Sequence, residues 1–217
     1  FLLKKVLFKH SMIQQMKKML YSLAALFFSV PFCFTVSAQS GRTVTDLSRN
    51  NWKLVTDPSA TWVQDILYAP PVDMNKVPVH PPAGGWTFLK EAKGINVQLP
   101  ATVEQYYWGK NGSTSGVNGN YLGVSWFVTS INIPATAKGK RITLQFEAVR
   151  FRAEVFVNEK LVGYDVVNST PFEIDFTEAV RYGAANSVAV RITDPNGNFD
   201  WRDSQNFMWG NYRTNPT

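Results

Sequence analysis

Apolar and polar residues alternate regularly in the second half of the chain, after Tyr121. Four runs place an apolar side chain at every second position: residues 141–147, 153–158, 172–176 and 188–192. A period of two is typical of β-strands that turn one face towards a core, and turn residues separate these runs. The pattern therefore predicts an antiparallel β-sandwich in which each sheet has one buried face.

The carboxylates of these runs lie in the polar phase of the alternation. They are Glu147, Glu154, Glu173 and Asp175. We expect all four on a solvated outer face, so none of them is assigned a catalytic role. Trp126 lies within an extended segment, and we expect it to belong to the core.

The segment from residue 39 to residue 119 is rich in Pro, Gly, Asn and aromatic residues and has no clear period. Residues 51–54 and 97–100 are expected to form short extended pieces. The prolines within 68–72 and 77–82 exclude helix interior there, because proline removes a backbone donor and favours extended geometry in the residue before it. No stretch of the chain shows a sustained period of 3.6 residues or an internal repeat. The predicted fold class is therefore all-β.

Residues 16–38 have the organisation of a bacterial secretory signal peptide. A short basic stretch is followed by an apolar stretch at 20–34 and by the small residues Val-Ser-Ala at 36–38. We expect cleavage after Ala38 and a secreted or periplasmic protein. The apolar stretch is shorter than the roughly 20 residues of a membrane span, so we expect no membrane association after cleavage. Residues 1–15 are expected to be a spurious extension of the reading frame.

The predicted signal peptide changes the meaning of the net charge of +6. Five of the 22 Lys and Arg residues precede Ala38 and no Asp or Glu does, which leaves 17 basic against 16 acidic residues, a net charge of +1. Charge therefore gives no support for a nucleic-acid partner. Cys33 is the single cysteine and lies in the same segment. Residues 39–217 can thus carry no disulfide, Cys-ligated zinc or cysteine nucleophile.

The sequence also predicts no metal ion and no cofactor for residues 39–217. His80 is the one histidine of this part. Without clustered partners it supports neither a metal site nor a catalytic triad. No phosphate-binding glycine-rich loop follows any predicted strand.

Five segments carry short motifs in a fixed order. They are LPAT at 99–102, GVSWF at 123–127, FEAVRFRAEVFVNEKLVG at 146–163, TPFEID at 170–175 and NSVAVRI at 186–192. In order and spacing they resemble the N-terminal sugar-binding domain of family 2 glycoside hydrolases, of the β-galactosidase, β-glucuronidase or β-mannosidase kind. The resemblance implies that residues 39–217 form a jelly roll, a galactose-binding-domain-like β-sandwich that binds carbohydrate.

One departure from the family concerns the predicted hairpin at Asn158-Glu159, where the family has Asn-Gly. A type I′ hairpin turn needs positive φ at both central residues. Glutamate adopts positive φ reluctantly, so we expect a different loop here.

The resemblance also implies where catalysis takes place. The two catalytic glutamates of the family sit in a TIM barrel, which needs at least about 200 residues, and the chain ends at Thr217. We therefore expect a domain truncated at its C-terminal end that has no catalytic residue and is inactive as a hydrolase alone. Its partners would be the downstream domains of the same polypeptide. Homo-oligomer formation stays open, and the sequence specifies neither sugar nor linkage.

Residues 194–212 contain the best candidates for carbohydrate contact: Asp200, Trp201 and Asp203. Aromatic faces beside polar side chains suit sugars, which present C–H faces and hydroxyl edges. The resemblance implies that this loop reaches towards the mouth of the family's active site. In an alternative interpretation, Trp201 and Trp209 pack against downstream domains and the aspartates form turns.

Three hypotheses of function follow from these observations. The first is the N-terminal carbohydrate-binding domain of an exported family 2 glycoside hydrolase, which hydrolyses O-glycosidic bonds. The second is a self-standing carbohydrate-binding module. The third is a structural domain that serves domain packing or oligomerisation.

Overall fold

The computed structural model describes residues 41–63, 65–107, 121, 123–167, 170–194, 199–201 and 206–209. The predicted N-terminal extension and signal peptide, residues 1–38, lie outside the described residues. Contacts divide the chain into two units, Phe1–Thr45 and Asp46–Thr217. In the first unit, the described residues 41–45 form neither helix nor strand. Over the described part of the chain, no helix has the length and apolar character needed to span a membrane.

The second unit consists mostly of β-strands. They are β1 (Trp52–Asp57), β2 (Ile66–Tyr68), β3 (Ile95–Val97), β4 (Gly123–Ile133), β5 (Thr143–Phe146), β6 (Arg152–Val157), β7 (Lys160–Asp165), β8 (Phe172–Asp175), β9 (Ala184–Asp194), β10 (Phe199–Trp201) and β11 (Asn206–Trp209). Two short α-helices, α1 (Gly85–Glu91) and α2 (Glu104–Tyr107), and two 3₁₀ turns, Ala135–Ala137 and Thr177–Ala179, complete the described elements. The four alternating runs correspond to β5, β6, β8 and β9, so the predicted all-β class is confirmed.

Six strands form the main sheet in the order β3-β1-β4-β9-β6-β7, and all neighbouring pairs are antiparallel. The central strands β4 and β9 run side by side over eleven residues each. Both are rich in β-branched residues and contain no proline, which suits long strands in the middle of a sheet.

One face of the main sheet packs on the two-stranded sheet formed by β5 and β8. Val155 of β6 and Val190 of β9 share a core with Leu144 of β5 and Ile174 of β8. At Gly163 of β7, a Cβ atom would lie 2.2 Å from Ile174 Cδ1. The glycine therefore permits the close approach of the two layers of the predicted sandwich.

The opposite face of the main sheet is also buried, and here the expectation of one buried face per sheet is wrong. Trp126 is 0% exposed and packs with Phe156. The ring of Trp86 of α1 covers both, with centroid distances of 5.7 Å to Trp126 and 5.1 Å to Phe156. All six residues of β6 are buried as a result. The cover is α1 and the chain before it. With seven residues, α1 is too short to produce a sustained helical period in the sequence.

The hairpin between β6 and β7 is a two-residue turn, contrary to the expectation of a different loop. Val157 pairs with Lys160, and Asn158 and Glu159 have φ values of 50° and 70°, as in a type I′ turn. Contacts from outside the hairpin hold this geometry. Asn158 Nδ2 donates to Ala179 O (2.7 Å) and to Asn186 Oδ1 (2.8 Å).

Candidate functional site

Three charged side chains meet on the same face of the main sheet as Trp126. Arg152 and Glu154 are two residues apart on β6 and therefore share a face. Arg191 of β9 lies directly opposite Glu154 in the register of the two strands. Arg152 and Arg191 are 1% exposed and Glu154 is 0% exposed. This finding corrects the expectation that Glu154 is solvated, whereas Glu147, Glu173 and Asp175 are exposed as predicted.

Glu154 is the centre of this group. Its Oε2 accepts hydrogen bonds from Arg152 Nη2 at 2.9 Å and from Arg191 Nη1. Its Oε1 lies 2.5 Å from His80 Nδ1. Arg152 Nη2 also donates to Asp65 Oδ2 at 2.6 Å, and His80 Nε2 lies 3.6 Å from Asp65 Oδ1. We name these five residues, Asp65, His80, Arg152, Glu154 and Arg191, the charge cluster.

His80 thus has clustered partners after all, which the sequence did not reveal. The segment that carries Asp65 and His80 crosses the outer face of β6 and brings both side chains to Glu154 and Arg152. A local sequence pattern cannot predict contacts between residues as far apart as 65, 80 and 154. Among the residues that the structure describes, no group of His, Cys, Asp or Glu side chains is arranged to hold a metal ion.

The charge cluster keeps Glu154 ionised. Burial raises the pKa of Glu154, but Arg152, His80 and Arg191 outweigh burial and lower this pKa to about 2. The pKa of Arg152 is raised, because Glu154 and Asp65 outweigh the effect of burial. A carboxylate that is ionised and enclosed by two guanidinium groups cannot protonate a leaving group, so it does not act as the acid of a glycosidase.

The charge cluster is connected to β2, the strand that begins directly after Asp65. Leu67 in the middle of β2 is 0% exposed and packs with Tyr164 and Val166. The backbone N–H of Tyr68, at the end of β2, donates to the Tyr164 hydroxyl oxygen at 3.2 Å. Both ends of β2 are thereby attached to the main sheet, through Arg152 of β6 and Tyr164 of β7.

β2 belongs to a third sheet, of order β10-β11-β2, which contains two of the three predicted sugar-binding residues. Asp200 and Trp201 lie on β10, in register with Met208 and Phe207 of β11. Asp203 lies outside the described residues. The segment was expected to be a loop after the last clear strand; it contains two short strands instead. The sequence weakly indicates these two strands, because aromatic residues occur at every second position in each of them.

Two shallow grooves lie elsewhere on the surface of the described part. Their volumes are about 340 and 350 Å³. The first is lined by Lys90, Ser130, Asn158, Glu159, Arg181, Ala185 and Ser187, and the second by Arg49, Asn50, Asn51, Thr129 and Ser130. Lys90 and Glu159 form an ion pair with each other at 2.6 Å. We assign no ligand to either groove.

Known proteins resemble this chain in sequence. It is 27% identical to a β-glucuronidase of Formosa agariphila over 147 residues, which are 61% of this chain and 15% of that protein. It is 38% identical to a β-galactosidase of Thermoanaerobacter pseudethanolicus over 74 residues, which are 34% of this chain and 10% of that protein. The matched part therefore spans less than a sixth of the length of these relatives.

The chain also resembles a solved structure and matches a protein family. The crystal structure of a glycosyl hydrolase family 2 member from Bacteroides cellulosilyticus is 22% identical, with a TM-score of 0.44, over 66% of this chain and 17% of that chain. Residues 86–209, from α1 to the end of β11, match the family described as glycosyl hydrolases family 2, sugar binding domain. Because this match covers more than half of the sequence, the chain belongs to the sugar-binding domain family of the family 2 glycosyl hydrolases.

Proposed function

We propose that the domain is a jelly roll that binds carbohydrate as the N-terminal part of a family 2 glycoside hydrolase of the β-glucuronidase or β-galactosidase kind. The family match over residues 86–209 carries this proposal. Its support is twofold: the match includes the strands β10 and β11, and two relatives bear the names β-glucuronidase and β-galactosidase. The hydrolytic step would belong to the remainder of the polypeptide.

The sugar contacts are proposed for Asp200, Trp201 and Asp203. An indole ring offers a flat apolar surface to the C–H face of a pyranose, and carboxylates accept hydrogen bonds from its hydroxyl groups. Asp200 and Trp201 are neighbours on β10, and position 203 follows in the connection to β11.

Export is the second part of the proposal. The order of basic, apolar and small residues at 16–38 supports a signal peptide and a secreted or periplasmic location. Mass spectrometry of the protein purified from its host tests this point. A mature N-terminus at Gln39 is expected, and retention of residues 16–38 would contradict it.

Calorimetric titration with glucuronides and galactosides tests the carbohydrate site. We expect the chain to bind at least one of these glycosides without hydrolysing it. Trp201→Ala is expected to weaken binding about tenfold or more because it removes the apolar surface proposed for the pyranose. Asp200→Ala is expected to have a similar effect because it removes a proposed hydrogen-bond acceptor.

Glu173→Gln on β8 is the matched control for these variants. Glu173 is exposed and pairs with Arg141 at 3.2 Å, outside the β10-β11-β2 sheet. The affinity of this variant should equal that of the unmodified chain. Unchanged binding in Trp201→Ala and Asp200→Ala would contradict the assignment of the site, and the absence of any glycoside binding would contradict the carbohydrate proposal itself.

A further inference from the structure

The strand β2 is too short to be stable by itself. It has three residues, whereas isolated strand pairs are marginal in water even when they are longer. Its position is fixed by Asp65 before it and by Tyr68 at its end. Asp65 Oδ2 accepts from Arg152 Nη2 at 2.6 Å, and the Tyr68 N–H donates to the Tyr164 hydroxyl at 3.2 Å. β2 is thus held at two points by neighbouring strands of the main sheet.

The strands of the proposed sugar site depend on β2 in turn. β11 pairs with β10 on one side and with β2 on the other, through Asn206, Phe207 and Met208. A pair of strands of three and four residues would be marginal without a third strand or a core beneath it. Within the described part of the chain, β2 is the strand that supplies this third partner.

The charge cluster fixes the place at which Asp65, and with it the start of β2, is held. Arg152 Nη2 contacts both Glu154 Oε2 and Asp65 Oδ2. Glu154 is completely buried and thereby fixes the guanidinium group of Arg152, which is 1% exposed. A fixed planar guanidinium group presents its donors in fixed directions within one plane, and Asp65 lies on one of these directions.

We propose that Asp65, Arg152 and Tyr164 are positioning residues for carbohydrate binding: they hold β2, and β2 holds the strands that carry Asp200 and Trp201. This inference rests on the proposed function, because it concerns the same sugar site. None of the three residues needs to touch the sugar. Their effect on affinity passes through the order of β11 and β10.

Peptide-resolved amide hydrogen exchange of the whole chain tests this proposal without a ligand. Asp65→Asn removes the charge that Arg152 contacts, and Tyr164→Phe removes the acceptor of the Tyr68 N–H. Each variant is expected to accelerate exchange in residues 66–68 and 206–209 about tenfold, the size expected when a partly buried hydrogen bond is lost or deprived of its charge. Exchange in residues 188–192 of β9 should stay unchanged, because these residues belong to the main sheet.

Two further variants separate positioning from a general loss of stability. Tyr121→Phe also removes a buried tyrosine hydroxyl, whose bond to Val124 O is 2.5 Å long. Tyr121 belongs to a different core cluster from Leu67 of β2, so this variant should leave exchange in residues 206–209 unchanged. Asp65→Glu keeps a carboxylate within reach of Arg152 and should restore most of the protection. If Asp65→Asn unfolds the chain as a whole, Tyr164→Phe, which changes no charge, decides the question.

The outcomes distinguish the two proposals. Unchanged exchange in residues 206–209 of both Asp65→Asn and Tyr164→Phe would overturn the positioning proposal, whatever the chain binds. Faster exchange there, joined with about tenfold weaker glycoside binding in the same variants, supports it. If the unmodified chain binds no glycoside, the proposed function fails, and the exchange measurement still decides whether β2 holds β11.

Discussion

Glu154→Gln is the substitution that tests the energetics of the charge cluster most directly. Glutamine has nearly the shape of glutamate, so the cavity stays filled, while the charge is lost and one acceptor oxygen becomes an NH2 donor. Glu154 is 0% exposed and its Oε2 accepts from both Arg152 and Arg191. Without the carboxylate, two guanidinium groups that are 1% exposed face each other with Asp65 as the remaining anion. We therefore expect a large loss in the free energy of unfolding.

The size of this loss follows from the burial of the charges and from the pKa of Glu154. Removing one partner of a buried ion pair costs about 3–5 kcal/mol, because an uncompensated charge remains buried. The pKa of Glu154 is lowered from 4.5 to about 2, since its cationic partners outweigh burial. At about 1.4 kcal/mol for each pKa unit, this shift corresponds to roughly 3 kcal/mol. The expected loss at neutral pH is therefore about 3 kcal/mol, a large part of the 5–15 kcal/mol typical of a domain.

The sign of the pH dependence follows from the same pKa. The folded-state pKa of Glu154 lies below its unfolded value, so its contribution to stability is complete above pH 4.5 and is lost as the pH falls towards 2. Only below pH 2 is the glutamate protonated in both states, so that it resembles glutamine. The difference in unfolding free energy between the unmodified chain and Glu154→Gln should therefore shrink between about pH 5 and pH 2.5.

Urea unfolding followed by tryptophan fluorescence at several pH values measures this difference. Glu173→Gln is the control, because it removes an exposed carboxylate that pairs with Arg141 at the surface, and such pairs contribute little to stability. A loss below about 1 kcal/mol at pH 7 for Glu154→Gln would refute the reasoning from buried charge. A difference that stays constant through the acid window would refute the pKa argument.

Three further changes in stability are expected from single contacts, and thermal or urea unfolding measures each. Gly163→Ala should destabilise the chain by about 1–3 kcal/mol, because its Cβ would lie 2.2 Å from Ile174 Cδ1. An unchanged unfolding midpoint would show that the main sheet and the β5-β8 sheet can move apart without cost. Glu159→Gly should stabilise the chain by up to about 1 kcal/mol, because φ is 70° at this position and glycine adopts positive φ without strain. The loss of the surface ion pair with Lys90 offsets little of this gain. A lower unfolding midpoint would contradict the idea that positive φ strains Glu159. Asn186→Ala should destabilise the chain by roughly 2–3 kcal/mol, because the buried amide makes hydrogen bonds with three backbone groups and one side chain. The control is Ser187→Ala on the same strand, where the side chain is only partly buried; it should have little effect.

The sequence was sufficient for the strands whose two faces differ. β5 and β8 alternate cleanly, with Leu144 and Ile174 buried and Glu173 and Asp175 exposed, because this sheet has one face in solvent. The family motifs added order and spacing, which periodicity alone does not provide. The fold class and the family could therefore be predicted before any coordinate was known.

The same alternation failed on β6 and β9 for a physical reason. Both faces of these strands are covered, and the polar phase of the pattern contains Arg152, Glu154 and Arg191. A buried charge and a solvated charge look identical in a sequence when their partners are distant. The partners Asp65 and His80 come from a proline-rich segment without any period. No local pattern could have placed that segment on the sheet.

The position of the charge cluster also bears on its purpose. Replacement of a buried ion pair by apolar residues of similar volume is often neutral or stabilising. Apolar residues would, however, offer no directional contact to Asp65, so the start of β2 could slide along the sheet. A slip of one residue would exchange the faces of β2, which would expose Leu67 and shift its pairing with Phe207 of β11. We infer that buried charge at this place gives β2 a defined register in addition to its contribution to stability.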